Sequence, residues 1–158
     1  MDYGIIAKGY NELYKQEQLK KLEIIKKHIK ISKKSKLLDI GCGTGISTNF
    51  FQCNSVGIDC SLEMIENGRG NLIQAKAEHL PFPDKTFDIV LCVTSIHNFE
   101  DPEKAIKEII RVKKSNAQVA ITLLKKSKKY NKIKELITKN FKVKEVDEEK
   151  DTIFLACS

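Results

Sequence analysis

The chain has 158 residues, a formal net charge of +7 at pH 7, and hydrophobic side chains at 41% of its positions. This length favours a single domain, and because the chain has neither a secretory leader pattern nor a run of about eighteen apolar residues, we expect a cytoplasmic protein without a membrane-spanning helix. The five cysteines are odd in number and form no CxxC pair, so neither a disulfide framework nor a metal site is expected.

The N-terminal part of the chain predicts an amphipathic helix over residues 10–31. Three apolar side chains fall on one face of this helix, namely Leu22, Ile25 and Ile29. The lysines of the segment, Lys21 among them, are expected to fall largely elsewhere on the helix. We interpret residues 1–34 as a helical cap on a core formed by residues 35–158.

Short apolar runs that alternate with helical patterns predict the core. Strands are expected at about 36–40, 55–59, 71–75, 87–93 and 118–124. Ser61 is expected to cap the helix after the second strand, and Asp101 the helix after the fourth. Asn116 tolerates a left-handed conformation and is expected to form a turn before the fifth strand.

The C-terminal part predicts a lysine-rich helix at about 128–139, followed by two strands at about 141–146 and 152–157. Strands that alternate with helices are typical of an α/β fold with a parallel, doubly wound sheet. A β-hairpin is expected to close it.

A glycine-rich run, LLDIGCGTG at 37–45, is followed by a second apolar run that ends on Asp59. The glycines of the first run offer a turn without Cβ atoms, where backbone can approach a ligand closely. A glycine turn and an acid on neighbouring parallel strands form a nucleoside-binding crevice. The dinucleotide pattern GxGxxG does not fit, because Ile46 stands at the third glycine position.

The GxGxG run, preceded by Asp39, resembles motif I of the class I S-adenosylmethionine-dependent methyltransferases. The resemblance continues in order through VGIDCSLEMIE (56–66), AKAEHLPFPDKTFDIVLCVTSIHNFEDPEKAIKEIIRVKK (75–114) and QVAITL (118–123). It implies a Rossmann-like α/β fold with a mostly parallel seven-stranded sheet of order 3-2-1-4-5-7-6. Helices would cover both faces, the last strand would be antiparallel, and S-adenosylmethionine would be the cofactor.

The chemistry of individual side chains and this resemblance together indicate which residues bind the cofactor. The carboxylate of Asp59 has two acceptor oxygens and can take both ribose hydroxyls, unless Asp59 is only a solvated acid before the next helix. By resemblance, Asp39 orients the methionine amino group and the loop, although it could also only hold loop amides. The other expected cofactor-binding residues are Tyr10, Gly41, Cys42, Gly43, Gly45, Cys60, Ala77, Glu78 and Ser95.

Two further positions bear on the chemistry. Lys76 stands where the family usually has an aspartate that accepts from the adenine amine, and lysine has no acceptor. The backbone amide of Ala77 would then read the ring edge. His97, after the fourth strand, is the candidate general base or substrate contact, with loop packing as its alternative role.

The acceptor site is expected to form from the N-terminal helix, the segment 94–100 and the loop near 124–130. So few covering segments indicate either a small acceptor or a macromolecule that completes the pocket itself, and we expect a small-molecule acceptor. RNA is an alternative, because six lysines between 125 and 134 make a plausible phosphate-facing patch. A protein acceptor is also compatible with these residues, and so is a non-catalytic partner subunit that only binds the cofactor.

Overall fold

The computed structural model describes the backbone of residues 3–157 and the side chains of residues 11–157. Its helices are α1 (Tyr3–His28), α2 (Ile46–Phe50), α3 (Leu62–Glu66), α4 (Pro102–Val112) and α5 (Tyr130–Asn140), with a 3₁₀ turn at Ile96–Asn98. Its strands are β1 (Lys36–Ile40), β2 (Asn54–Asp59), β3 (Leu72–Gln74), β4 (Phe87–Val93), β5 (Lys113–Leu124), β6 (Lys144–Asp147) and β7 (Asp151–Ala156). Within the described range, no helix is long and apolar enough to cross a membrane.

The seven strands form one sheet in the order β3-β2-β1-β4-β5-β7-β6. The first five strands pair in parallel, and β7 pairs antiparallel with both β5 and β6. The predicted order and the antiparallel last strand are confirmed. Because β1 lies between β2 and β4, the loops that follow these three strands meet at one edge of the sheet.

Apolar side chains on the two faces of the sheet build two core clusters. On one face Leu38 of β1 packs in a cluster with Ile109 of α4 and Ile137 of α5. On the other face Leu37 packs in a cluster with Leu22 of α1. Strands covered on both faces need nearly continuous apolar sequence, as β1 and β4 have. The predicted helices on both faces are confirmed.

The predicted helix caps are present at both positions. The Ser61 hydroxyl accepts a hydrogen bond from the Met64 amide at 3.3 Å, and the Asp101 carboxylate accepts one from the Lys104 amide at 3.1 Å. These contacts satisfy amides that the first helical turn leaves unpaired. The cap at Ser61 also fixes where the chain turns after Asp59.

The expected turn at Asn116 is wrong, because β5 already begins at Lys113. Among the described residues other than glycine, only Lys85 and Thr94 have positive φ. Instead of a turn, β5 contains a bulge that takes up extra residues. The strands pair at Phe87↔Lys113 and again at Ile89↔Gln118, so β4 advances by two residues where β5 advances by five.

The expectation that Lys21 lies away from the buried, apolar face of α1 is also wrong. Lys21 is only 2% exposed, and its ammonium nitrogen lies 3.2 Å from Oδ1 of Asp151, the first residue of β7. The same nitrogen donates to the Thr94 hydroxyl at 2.9 Å. The Asp151 carboxylate also accepts from the hydroxyls of Thr94 at 2.7 Å and Thr122 at 2.9 Å. A buried ammonium is tolerated here because an ion pair and hydrogen bonds compensate it.

This network connects α1 to the ends of β4, β5 and β7. Thr94 holds a left-handed conformation with φ of 51°, which a β-branched residue rarely adopts. Its amide and its hydroxyl are both bonded within the network. The network therefore fixes the direction in which the chain leaves β4 towards the 3₁₀ turn.

The substitution Lys21→Met tests this anchor. It leaves the buried Asp151 carboxylate without its counter-ion and should lower the free energy of unfolding by about 3 to 5 kcal/mol. Urea denaturation followed by circular dichroism measures the change. Lys20→Met is the matched control, because Lys20 makes only an exposed contact with Glu149; it should cost less than about 1 kcal/mol. Equal costs for the two variants would contradict the anchoring role.

Candidate active site

The turn after β1 depends on glycines with left-handed backbone. Gly41, Gly43 and Gly45 have φ values of 75°, 55° and 95°. A Cβ on Gly41 would lie 2.4 Å from the Ser95 hydroxyl oxygen, and one on Gly45 would lie 2.5 Å from the Arg69 carbonyl oxygen. Side chains at these two positions would displace the neighbouring chain. Gly43 differs, since a Cβ there would meet nothing within 4 Å.

The acid at the end of β2 contacts this turn directly. The Gly43 amide donates to Oδ2 of Asp59 at 2.9 Å, and the Ser61 amide donates to Oδ1 at 2.9 Å. The amides of Gly41 and Cys42 both donate to the Ile58 carbonyl, at 2.8 and 2.9 Å. The structure thus brings together the glycine turn and the acid that the sequence singles out.

A cavity of about 300 Å³, which we call the Asp59 cavity, opens beside this contact. Half of its wall consists of residues that the sequence predicts to bind the cofactor: Gly41, Asp59, Cys60, Ala77, Glu78 and Ser95. Lys76 and Phe99 also line it. The predicted residues from the ends of four strands, β1 to β4, therefore share one cavity.

A second cavity of about 320 Å³, which we call the Gln18 cavity, lies on the other side of the turn. Gly41 lines both cavities, so the two adjoin there. Cys42 and Gly43, also predicted site residues, line the second one together with Gln18 of α1 and Val93 of β4. The pair of cavities thus runs from the segment after β3 past the glycine turn to α1.

Asp39 is buried beneath the turn and lines neither cavity among the described residues. Its Oδ2 accepts a hydrogen bond from the Thr48 hydroxyl of α2 at 2.8 Å. Burial raises the pKa of Asp39 to about 7, the bond from Thr48 opposes this rise, and the charge of Asp59 adds to it. Asp39 thereby supports the start of α2, and its contact with a methionine amino group stays a prediction.

Two other predicted residues have structural contacts. The Ser95 hydroxyl is buried and donates to the Ile40 carbonyl at 3.0 Å, which ties the end of β4 to that of β1. The Gly45 amide donates to the Cys42 carbonyl at 2.9 Å and closes the turn. Gly45 lines neither of the two cavities. A cofactor contact at Gly45 stays a prediction, and the side chain of Tyr10 lies outside the described residues.

Two buried cysteines near the site, Cys42 and Cys92, are protonated thiols. Burial raises the pKa of Cys42 to about 12, and the charges of Asp39 and Asp59 act in the same direction. Burial likewise raises the pKa of Cys92 to about 12, although a hydrogen bond with Ser95 opposes it. Because only the thiolate is a good nucleophile, these cysteines contribute packing to the site.

His97 lies in the 3₁₀ turn after β4, and its Nδ1 is buried without a hydrogen-bond partner in the described part of the chain. Burial is the largest cause that lowers the pKa of His97; Asp151 opposes it, whereas Lys21 and Lys129 add to it. The imidazole is therefore neutral at pH 7 and able to accept a proton. Asn98 lines the Asp59 cavity, but His97 does not.

Sequence reasoning missed Gln18 and the anchor between Lys21 and Asp151. A signal for Gln18 existed, because it precedes Leu22 by four residues and so falls on the apolar face of α1. A polar side chain in that register faces the protein interior. No pattern in the sequence indicated that Lys21 pairs with Asp151, 130 positions further along the chain.

The sheet order, the glycine turn and the acid are those of the class I S-adenosylmethionine-dependent methyltransferase fold. Residues 38–121 match the family described as a methyltransferase domain. That is more than half of the chain, and the chain belongs to this family. The residues fit the cofactor, since the Asp59 carboxylate has about four acceptor positions and its two amide bonds leave others for hydroxyl groups.

Known proteins similar to the chain include the uncharacterized protein MJ1252 of Methanocaldococcus jannaschii, 35% identical over 127 residues, which are 77% of this chain and 49% of that protein. The ubiquinone/menaquinone biosynthesis C-methyltransferase UbiE of Haemophilus ducreyi is 34% identical over 108 residues, which are 58% of this chain and 42% of that protein. The chain spans about half the length of the curated relatives it matches, or less.

Among solved structures, a Thermotoga maritima protein described as an S-adenosylmethionine-dependent methyltransferase, possibly a histamine N-methyltransferase, aligns with a TM-score of 0.75. The alignment covers 96% of this chain and 95% of that one at 20% sequence identity. At this identity the likeness shows a shared fold.

The raised pKa of Asp39 predicts how pH affects stability. The folded protein holds the proton on Asp39 up to about pH 7, whereas the unfolded chain releases it near pH 4. Stability from this group therefore falls as pH rises through that window, by about 1 to 4 kcal/mol. In Asp39→Asn the contribution is absent, because the amide does not titrate.

Urea unfolding of wild type and Asp39→Asn at several pH values from 4 to 8 measures this contribution as the difference between the two proteins. Glu66→Gln, at an exposed position of α3, is the control and should follow the wild type. A difference between Asp39→Asn and wild type that is constant over this pH range would contradict the assignment.

Proposed function

We propose that the chain transfers a methyl group from S-adenosylmethionine to a small-molecule acceptor. The observation that carries this proposal is the pair of hydrogen bonds from the Gly43 and Ser61 amides to Asp59, because it holds a carboxylate and a glycine turn at one cavity. The match of residues 38–121 to the methyltransferase domain supports the same activity.

In this proposal each part of the site has its own task. Asp59 accepts the two ribose hydroxyls, and the backbone of Ala77 lies at the adenine edge. Ala77 is buried and Glu78 half-buried beside it. When bound, the cofactor supplies an activated methyl group on a sulfonium sulfur. With so good a leaving group, the protein mainly has to align the reacting atoms.

His97 is our candidate for a general base. Burial lowers the pKa of His97 and so favours the neutral imidazole. A neutral imidazole can take a proton from an acceptor that must lose one during transfer. Because Nδ1 is buried and His97 lines neither cavity, this role requires the ring to move towards the Asp59 cavity. An acceptor whose nucleophile carries no proton would not need this step.

Two observations support a small acceptor. The connection between β5 and α5 is short, so no long segment covers the site from that side. One relative, UbiE, is named a ubiquinone/menaquinone biosynthesis C-methyltransferase, and quinones are small organic molecules compared with RNA or protein. By that likeness, a carbon atom of an organic ring is one candidate for the methylated atom.

RNA is the alternative acceptor, because exposed lysines follow β5. Two members of this lysine group already have acidic partners: Lys125 lies 2.6 Å from Asp147, and Lys134 lies 3.2 Å from Glu145. Lys126 and Lys128 are exposed. If RNA is the acceptor, its affinity should fall steeply with added salt, because lysines that neutralise phosphates release counter-ions. A weak response in filter binding would exclude this alternative.

The substitution Asp59→Asn tests the cofactor site. It removes the carboxylate charge and one strong acceptor, so the affinity for S-adenosylmethionine should fall by about 10- to 100-fold. Isothermal titration calorimetry measures the affinity, and circular dichroism checks that the variant is folded. Glu63→Gln makes the same charge change at an exposed position of α3 and should bind as the wild type does.

If the wild type and Asp59→Asn bind S-adenosylmethionine equally well, the proposed role of Asp59 is contradicted. Wild type that gives no heat at high protein concentration would contradict the cofactor itself. That second result would favour the non-catalytic partner subunit over the enzyme.

The protonation of His97 is open to direct measurement. The His97 ring is partly buried, and burial disfavours the charged imidazolium. The pKa of His97 should therefore lie below the ordinary value of about 6.5. An NMR titration of the histidine ring protons, assigned with the variant His97→Gln, measures it. A pKa at or above the ordinary value would contradict the effect of burial on this ring.

A further inference from the structure

Gln18 of α1 has an unusual environment for a glutamine. Its side chain is only 3% exposed, and Oε1 is buried without a hydrogen-bond partner among the residues that the structure describes. Buried polar atoms in folded proteins nearly always have a partner, so an unpaired amide oxygen calls for an explanation. A ligand that donates a hydrogen bond is one such partner.

The position of Gln18 indicates which ligand. Gln18 lines the cavity of about 320 Å³ that it shares with Gly41, Gly43, Thr44 and Val93. Gly41 also lines the Asp59 cavity, so the Gln18 cavity adjoins the place proposed for the nucleoside at this residue. A ligand that fills the Asp59 cavity with its nucleoside and extends past the glycine turn would bring its other end to Gln18.

The hydrogen-bonding chemistry of Oε1 indicates which group of the ligand it would contact. An amide oxygen only accepts hydrogen bonds, so it suits an ammonium group, which only donates them. It does not suit a carboxylate, which only accepts. S-adenosylmethionine carries both groups at its amino acid end, and the ammonium is the one that matches Oε1.

We propose that Gln18 binds the α-ammonium group at the methionine end of the cofactor through Oε1. This inference rests on the function proposed above, and it assigns a second residue of α1, in addition to Tyr10, to the cofactor. The glycine turn supplies backbone to the same cavity, whereas Gln18 supplies a side-chain acceptor.

The anchor of α1 supports this role. Lys21 lies three residues after Gln18, on the same side of the helix, and its ion pair with Asp151 is buried. Leu22, four residues after Gln18, is fully buried in the core beneath α1. Gln18 is therefore held by contacts on the following helical turn, and binding needs little ordering of α1.

The test compares two ligands and four proteins by isothermal titration calorimetry. S-adenosylhomocysteine carries the amino acid end, whereas 5′-methylthioadenosine has the same nucleoside and a thioether sulfur but no amino acid end. The proteins are wild type, Gln18→Leu, Gln18→Glu, and the control Gln16→Leu at an exposed position of the same helix.

Gln18→Leu should bind S-adenosylhomocysteine at least about tenfold more weakly than wild type and 5′-methylthioadenosine equally well. Gln18→Glu should restore the binding of S-adenosylhomocysteine, because a glutamate keeps an acceptor oxygen in either protonation state. Gln16→Leu should bind both ligands as the wild type does.

Three results would overturn the assignment of Gln18 while wild type still binds. These are unchanged affinity of Gln18→Leu for S-adenosylhomocysteine, an equal loss for both ligands, and a Gln18→Glu variant that binds more weakly than Gln18→Leu. The last result would mean that the side chain faces the carboxylate. Wild type that binds neither ligand would instead contradict the proposed function, and the Gln18 assignment with it.

Discussion

The contact between the Asp59 carboxylate and the Gly43 amide is the interaction on which the site depends. Parallel pairing of β1 with β2 brings the ends of both strands to one edge of the sheet, with Asp39 opposite Gly57 and Ile40 opposite Ile58. One carboxylate then holds the turn after β1 and the start of α3, because each of its oxygens accepts one backbone amide. The two cavities lie on either side of the turn that this contact fixes.

A second constraint comes from α1, which lies over the sheet and completes the wall of the Gln18 cavity. Its position depends on apolar packing and on the buried pair of Lys21 and Asp151. Because Thr94 is bonded to the same pair, α1 and the segment after β4 are fixed together. The candidate base His97 therefore lies on a segment whose direction is set by the network that positions Gln18.

Much of this fold can be predicted from the sequence, because the buried parallel strands are continuous apolar runs and the caps Ser61 and Asp101 mark helix starts. The glycine motif and Asp59 were predictable for the same local reason. Contacts between distant parts of the chain were not predictable. From the sequence alone Lys21 is interpreted as a surface lysine, because its partner Asp151 becomes its neighbour only in the folded chain. Spacing also cannot separate a glycine that lines the Asp59 or Gln18 cavity from one, such as Gly45, that lines neither of them and closes the turn.

A crystal structure of the chain with S-adenosylhomocysteine tests the central claim most directly. The account predicts both ribose hydroxyls within hydrogen-bonding distance, about 2.5 to 3.0 Å, of the Asp59 carboxylate. It also predicts that the glycine turn keeps its bond from Gly43 to Asp59. Ligand bound away from the ends of β1 and β2, or ribose hydroxyls that do not contact Asp59, would contradict it.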